Sequence, residues 1–174
     1  MDAPTFIVVP ASDVPPGLAD FRRKHIHHPG ATVPFHTTLL APFVDLDEFE
    51  RDGLSRLRKI AARLSPFQYI ASSLCTFPTT AVLWLAPSPV GAFEHCCQAI
   101  YDEFPRVRPE RGFPTFHMTV GLTRTAEELA SVLREFQTGF SASMPLHLHA
   151  TELAVYIGVG EGYELHSLLP MGAR

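Results

Sequence analysis

One short pattern occurs twice in this chain and limits its possible folds more than any other feature. Pro34-Phe35-His36-Thr37-Thr38-Leu39 and Pro114-Thr115-Phe116-His117-Met118-Thr119-Val120 each leave a proline, set an aromatic directly before a histidine, and place a threonine two positions later. In extended backbone alternate side chains share a face. His36 and Thr38 should therefore project together, while Phe35 and Leu39 turn inward with Thr37 between them. His117, Thr119 and Gly121 should likewise face away from Phe116, Met118 and Val120, with Gly121 leaving room for close approach. Within each pair the Cα atoms would lie roughly 7 Å apart, twice the strand rise. The histidines are 81 positions apart, which fits two similar lobes facing one another.

The remaining chain supplies elements for two such lobes. Thr5 to Pro10 is a β-branched apolar run and reads as a buried strand. Pro15-Pro16 open a helix that ends near His25 to His28, before the Pro29-Gly30 turn. A strand is expected over Thr32 to Leu40, broken by Ala41-Pro42-Phe43. Asp45 and Asp47 offer caps for a helix to about Leu64, with Leu54, Leu57, Ile60, Ala61 and Leu64 on one face. Strands follow over Phe67 to Cys75 and Ala81 to Leu85, joined by a hairpin connection at Phe77-Pro78-Thr79-Thr80. A helix runs from Pro89 through Tyr101 and Phe104, a loop from Pro105 to Pro114, and a strand from Thr115 to Leu122. A helix over Ala126 to Gln137 has Leu129, Val132, Leu133 and Phe136 on its inner stripe. Strands near Leu146 to Gly158 and Tyr163 to Leu168 close the chain around a glycine-rich turn. The class is α+β, and neither a dinucleotide fingerprint nor a lysine-bearing phosphate loop is present.

Length and charge narrow the function. A chain of 174 residues suits one domain over 1–174 with a real core. No apolar run approaches the ~20 residues of a membrane helix, and Met1 to Phe6 lack a basic-then-apolar leader, so no membrane association and a cytoplasmic location are expected. Cys75, Cys96 and Cys97 are odd in number and imply no disulfide framework; the vicinal pair falls on a helix where buried thiols are expected. A net charge of -4 argues against an extended nucleic-acid footprint, leaving a local grip on a small nucleotide or RNA end.

Two histidine–threonine pairs suit cleavage of a cyclic or 2'-linked phosphodiester. One group must take a proton from the attacking hydroxyl or water and another must give one to the departing oxygen, and imidazole does both near neutral pH. Threonine hydroxyls hydrogen-bond the nonbridging oxygens as charge rearranges. A third match, His149-Ala150-Thr151, lacks the preceding aromatic and is followed by Glu152.

On the tetrads His36-Thr37-Thr38-Leu39 and His117-Met118-Thr119-Val120, their spacing, the opening strand and the closing strand-turn-strand, the chain resembles the two-histidine (2H) phosphoesterase superfamily, which includes bacterial 2'-5' RNA ligase-like proteins and cyclic phosphodiesterases. The resemblance implies a bilobal α+β fold with two antiparallel-rich sheets and outer helices around a central groove. It also implies an acid–base pair of His36 and His117, phosphate-holding Thr38 and Thr119, and no cofactor or metal. His117 is expected as base and His36 as acid in hydrolysis. The substrate is not inherited: 2',3'-cyclic ends, 2'-5' linkages and ADP-ribose cyclic phosphate all remain open.

Further candidates surround the tetrads. Arg111, the closest to the second tetrad of Arg106, Arg108 and Arg111, is expected to reach a substrate phosphate. Phe43 and Tyr156 are expected to stack a base at the groove rim. Arg124 is read as capping or solvent-exposed, and His95 and His166 as structural. His25, His27, His28, His147 and His149 invite a zinc reading, but no Cys-x-x-Cys or His-Glu-x-x-His accompanies them. The expected protein is a monomeric enzyme; the alternative is a noncatalytic protein that keeps the pocket to bind a nucleotide or RNA end.

Overall fold

The computed structural model describes residues 4–77 and 80–172, so Pro78 and Thr79 of the expected hairpin connection lie outside the described residues. In chain order the elements are β1 (Thr5–Pro10), α1 (Leu18–His25), β2 (His36–Leu40), α2 (Leu46–Glu48), α3 (Leu54–Arg63), β3 (Phe67–Thr76), β4 (Val82–Ser88), α4 (Gly91–Glu103), β5 (Met118–Leu122), α5 (Ala126–Phe140), β6 (Leu146–Ala150), β7 (Glu152–Val159) and β8 (Gly162–Pro170). They make two antiparallel four-stranded sheets, ordered β2-β1-β7-β8 and β5-β4-β3-β6. Each sheet thus receives one histidine tetrad on an edge strand, β2 in the first and β5 in the second.

Local chemistry explains the helices. α3 buries Leu57, Ile60 and Ala61, and Leu64 just beyond its end is also buried. Each fully buried Leu or Ile there contributes about 1.5–3 kcal/mol from removal of apolar surface from water. A π-helical turn, Phe49–Gly53, joins α2 to α3, and the Asp45 side chain makes no capping hydrogen bond. α5 opens on a side-chain cap: Thr125 accepts from the Glu128 backbone N–H, and the Glu128 carboxylate accepts from the Arg124 N–H. α4 buries Phe93, Cys96, Cys97, Ile100 and Tyr101. The Phe93 ring meets Phe67, Tyr69 and Phe116 at centroid distances of 5.1, 5.0 and 5.5 Å, so the residue before the second histidine is anchored in the core. Burial pushes both vicinal thiols up to about 12, which leaves them protonated and unreactive at neutral pH. Among the described residues no helix is long and apolar enough to cross a membrane.

Three expectations change. The strand expected over Leu146 to Gly158 divides at Thr151: β6 pairs with β3 in one sheet, and β7 lies between β1 and β8 in the other. The alternation of Leu146, Leu148 and Ala150 changes phase at Thr151-Glu152 before the buried run from Leu153, but a change of phase does not name the sheet that the next strand joins. The strands of both tetrads start later than expected. Pro29–Thr32 form a 3-10 turn whose first free N–H, from Gly30, is accepted by His28 Nδ1 at 3.0 Å, and β2 begins only at His36. β5 begins at Met118, the first residue of this segment to pair with β4. Finally, a bulge between Leu83 and Trp84 sets Gly121 opposite Leu83 on the core face, not beside Thr119. A methyl group on Gly121 would lie 2.9 Å from Val132 Cγ1 of α5. The space at Gly121 therefore admits a helix, and filling it would cost about 1–3 kcal/mol in overpacking.

Candidate functional site

The registers place the first tetrad on the face opposite the helices. Pro10 pairs with His36, Val8 with Thr38 and with Ala154, and Phe6 with Tyr156, and directly opposed residues share a face. His36 and Thr38 therefore lie on the same face as Val8, Ala154 and Tyr156. The opposite face carries Thr37 and Leu39, which are 0% and 1% exposed, as strand alternation requires. In the second sheet Thr119 pairs with Trp84 and Trp84 with Cys75, while Leu83, Leu85 and Met118 are fully buried behind them. β2 and β5 are in contact, so the two open faces meet along these edge strands.

Both histidines are held in the same way. His36 Nδ1 lies 2.6 Å from the Pro34 carbonyl oxygen, and His117 Nδ1 lies 2.8 Å from that of Thr115. A carbonyl only accepts, so in each ring Nδ1 carries the proton and donates, which leaves Nε2 to exchange protons with a ligand.

The surroundings of His36 act on its protonation. Burial drives His36 down from 6.5 towards about 4; the positive charges of Arg22 and His117 push the same way, and the Pro34 hydrogen bond opposes them. Near neutral pH the ring is therefore neutral and its Nε2 holds a lone pair. A consequence for stability follows. Unfolded chain takes this proton near 6.5 while the fold resists it, so from about pH 6.5 to about pH 4 the unfolded state binds more protons and stability falls as pH falls. His36→Gln is expected to flatten this part of the profile, measured as the urea midpoint at pH 7 and pH 4.5. An equal loss in variant and wild type would refute the assignment.

Residues that the tetrad pattern does not contain complete the site. Phe77 stacks on Trp84 with centroids 5.0 Å apart, and both rings stand edge-on to His117, at 5.1 and 5.9 Å. Trp84 was legible from strand alternation, since it lies between inward Leu83 and Leu85; Phe77 follows β3 and carried no such signal. Arg22 of α1 is only 3% exposed, donating from Nε to the Thr119 carbonyl at 3.0 Å and from a terminal nitrogen to the Val33 carbonyl at 2.9 Å. Its guanidinium sits 5.6 Å from the Phe35 ring centroid. Burial lowers Arg22 to about 10, which still leaves it charged at neutral pH.

The other candidates are dispersed. Phe43 is 6% exposed and packs edge-on against Phe49 and Phe104, beside a cavity of about 310 Å³ that includes Glu48, Arg56 and Arg106 and neither tetrad. Tyr156 shares the face of Thr38, yet it too is 6% exposed, stacked on Phe6 and packed in a cluster with Val8, Val33 and Tyr163. Arg106 is paired with Glu48 at 2.7 Å, and Arg108 binds Gln98 at 2.9 Å. Arg111 is exposed and makes no ion pair among the described residues. The histidines of the zinc reading are spread out: His25 faces Glu135 at 3.0 Å, His28 caps the 3-10 turn, and His149 faces Asp13 at 2.6 Å. Among the described residues no three His, Cys, Asp or Glu side chains converge as a metal site would need.

Comparison with known proteins supports the same architecture. The pattern defining the 2'-5' RNA ligase superfamily matches residues 9–161. No curated protein matches the chain in sequence. Among solved structures, E. coli LigT complexed with 3'-AMP is 16% identical, with 98% of this chain and 99% of LigT covered at a TM-score of 0.62. Kluyveromyces marxianus Usb1 with uridine monophosphate is 14% identical, with 96% of this chain and 98% of Usb1 covered at a TM-score of 0.57. At such identities the likeness shows the fold.

Proposed function

The chain belongs to the 2'-5' RNA ligase superfamily, and from that membership we propose that it is a metal-independent phosphoesterase acting on a 2',3'-cyclic phosphodiester or a 2'-5' linked nucleotide or RNA end. One observation carries the reading: two imidazoles, one per sheet, each tied through Nδ1 to a carbonyl two residues back, with Nε2 left for proton transfer. Neutral His36 takes the proton of the attacking water, and His117 in its protonated form delivers one to the departing ribose oxygen. This reverses the roles expected above, because burial and the neighbouring cations favour the neutral form of His36. In the joining direction the two exchange roles. Thr38 and Thr119 donate to the nonbridging oxygens, and Arg111 is free to meet a further phosphate.

The Phe77–Trp84 stack beside His117 is the aromatic surface on which we place the substrate base, in preference to the packed rings of Phe43 and Tyr156. A local aromatic and histidine surface suits a small nucleotide or RNA end better than a long duplex, in keeping with the net charge of -4. The free thiols at Cys75, Cys96 and Cys97 suit a reducing cytoplasm.

The test is a panel of 2',3'-cyclic nucleotides, 2'-5' dinucleotides and ADP-ribose cyclic phosphate, assayed with and without chelator. Turnover of at least one, unchanged by chelation, is expected. Activity that disappears with chelator would remove the metal-independent mechanism. Tight binding without product across the panel would favour the alternative, a binding protein that keeps the pocket.

A further inference from the structure

We propose that Arg22 is the positioning residue that holds the two histidine tetrads in register across the cleft. The inference rests on the phosphoesterase reading above, since it concerns alignment of the two groups that exchange protons there. β2 and β5 are edge strands of different sheets, so no ladder of backbone hydrogen bonds fixes one against the other. Arg22 belongs to α1, outside both tetrads, and binds on both sides of the gap. On one side it holds the carbonyl of Thr119, within the second tetrad; on the other it holds the carbonyl of Val33 and lies over the ring of Phe35. The next carbonyl along the chain, that of Pro34, is the one that orients His36. Arg22 thus touches the residues flanking His36 and the main chain of Thr119 at once.

The residue type matters. A guanidinium presents its donors in a rigid planar fork, so Nε and a terminal nitrogen reach two carbonyls with a fixed angle between them. An ammonium is a single point on a flexible stem and cannot hold both in that geometry. The charge has a second consequence, because burying a cation is costly and a neutral tie would have been sufficient for packing alone. Arg22 and His117 are the charged or titratable groups bearing on His36, and both disfavour its protonation. The fork therefore aligns the tetrads, and its charge keeps His36 ready to accept a proton.

Arg22→Lys and Arg22→Met separate the two effects. Turnover is measured on whichever panel substrate the wild type uses, and the His36 ring is titrated by NMR in all three proteins. For a misplacement of about 1 Å, both variants are expected to lose ~10²-fold in kcat with KM within about threefold. In Arg22→Met the His36 titration moves to higher pH, whereas in Arg22→Lys it stays near the wild-type position because the charge remains. Arg22→Lys with wild-type kcat, or Arg22→Met with an unmoved His36 titration, overturns the proposal. If Arg22→Met does not fold, the kcat of Arg22→Lys decides. If the wild type turns over nothing on the panel, the phosphoesterase reading fails by itself, and the His36 titrations still decide the part played by Arg22.

Discussion

Replacing either His36 or His117 with alanine is expected to lower kcat by ~10² to 10⁴, the usual range for one proton transfer. The loss should fall on kcat more than KM, because each imidazole acts on a proton in flight and not on the resting substrate. The double variant should be little worse than the worse single one, since a base without its acid completes no cycle. His36 opens the edge strand β2, His117 directly precedes the edge strand β5, both retain some solvent exposure, and neither belongs to the buried apolar core. Both variants should therefore stay folded, and circular dichroism beside the kinetics checks this. Wild-type kcat in either folded variant would sink the two-histidine mechanism.

Removing a hydroxyl from either tetrad is the second large effect. Thr38→Val and Thr119→Val keep the shape and β-branching of the strand and delete one donor to the nonbridging oxygens. By analogy with loss of one oxyanion donor, kcat should fall ~10²-fold to 10³-fold. The Thr119 carbonyl that Arg22 grips is backbone and survives the change. Thr37→Val is an internal control within the same tetrad. Its hydroxyl is fully buried on the core face with no hydrogen-bond partner, so its loss should leave kcat unchanged and be neutral or stabilising. A Thr37→Val variant as impaired as Thr38→Val would mean that the faces of β2 are assigned the wrong way round.

Much of this arrangement could be read directly from residue order. The inward set Phe35, Leu39, Phe116, Met118 and Val120 is buried, and Leu57, Ile60, Ala61 and Leu64 share the buried stripe of their helix as the periodicity requires. The readings that changed share a physical cause. The break at Thr151, the bulge at Leu83 and Trp84, and the packing of Gly121 against Val132 are all events of pairing between distant strands and helices, whose partners the local apolar pattern does not name. Phe43 and Tyr156 show the same limit. An aromatic in or near a strand looks alike in sequence whether its ring faces a groove or, as here, is packed against Phe49 and Phe104 or Phe6.

Residue order alone determined which side chains of each tetrad travel together, because a strand's two-residue period is a property of the backbone and needs no partner. It also determined the chemistry, since imidazole and hydroxyl in that pairing suit proton transfer beside a phosphate. Tertiary structure decided what each imidazole meets. Arg22 reaches a carbonyl 97 positions away, and burial together with two nearby cations lowers His36 while the Phe77–Trp84 stack forms beside His117. Desolvation and Coulomb forces depend on distance through space, and only the packing of the two sheets sets that distance.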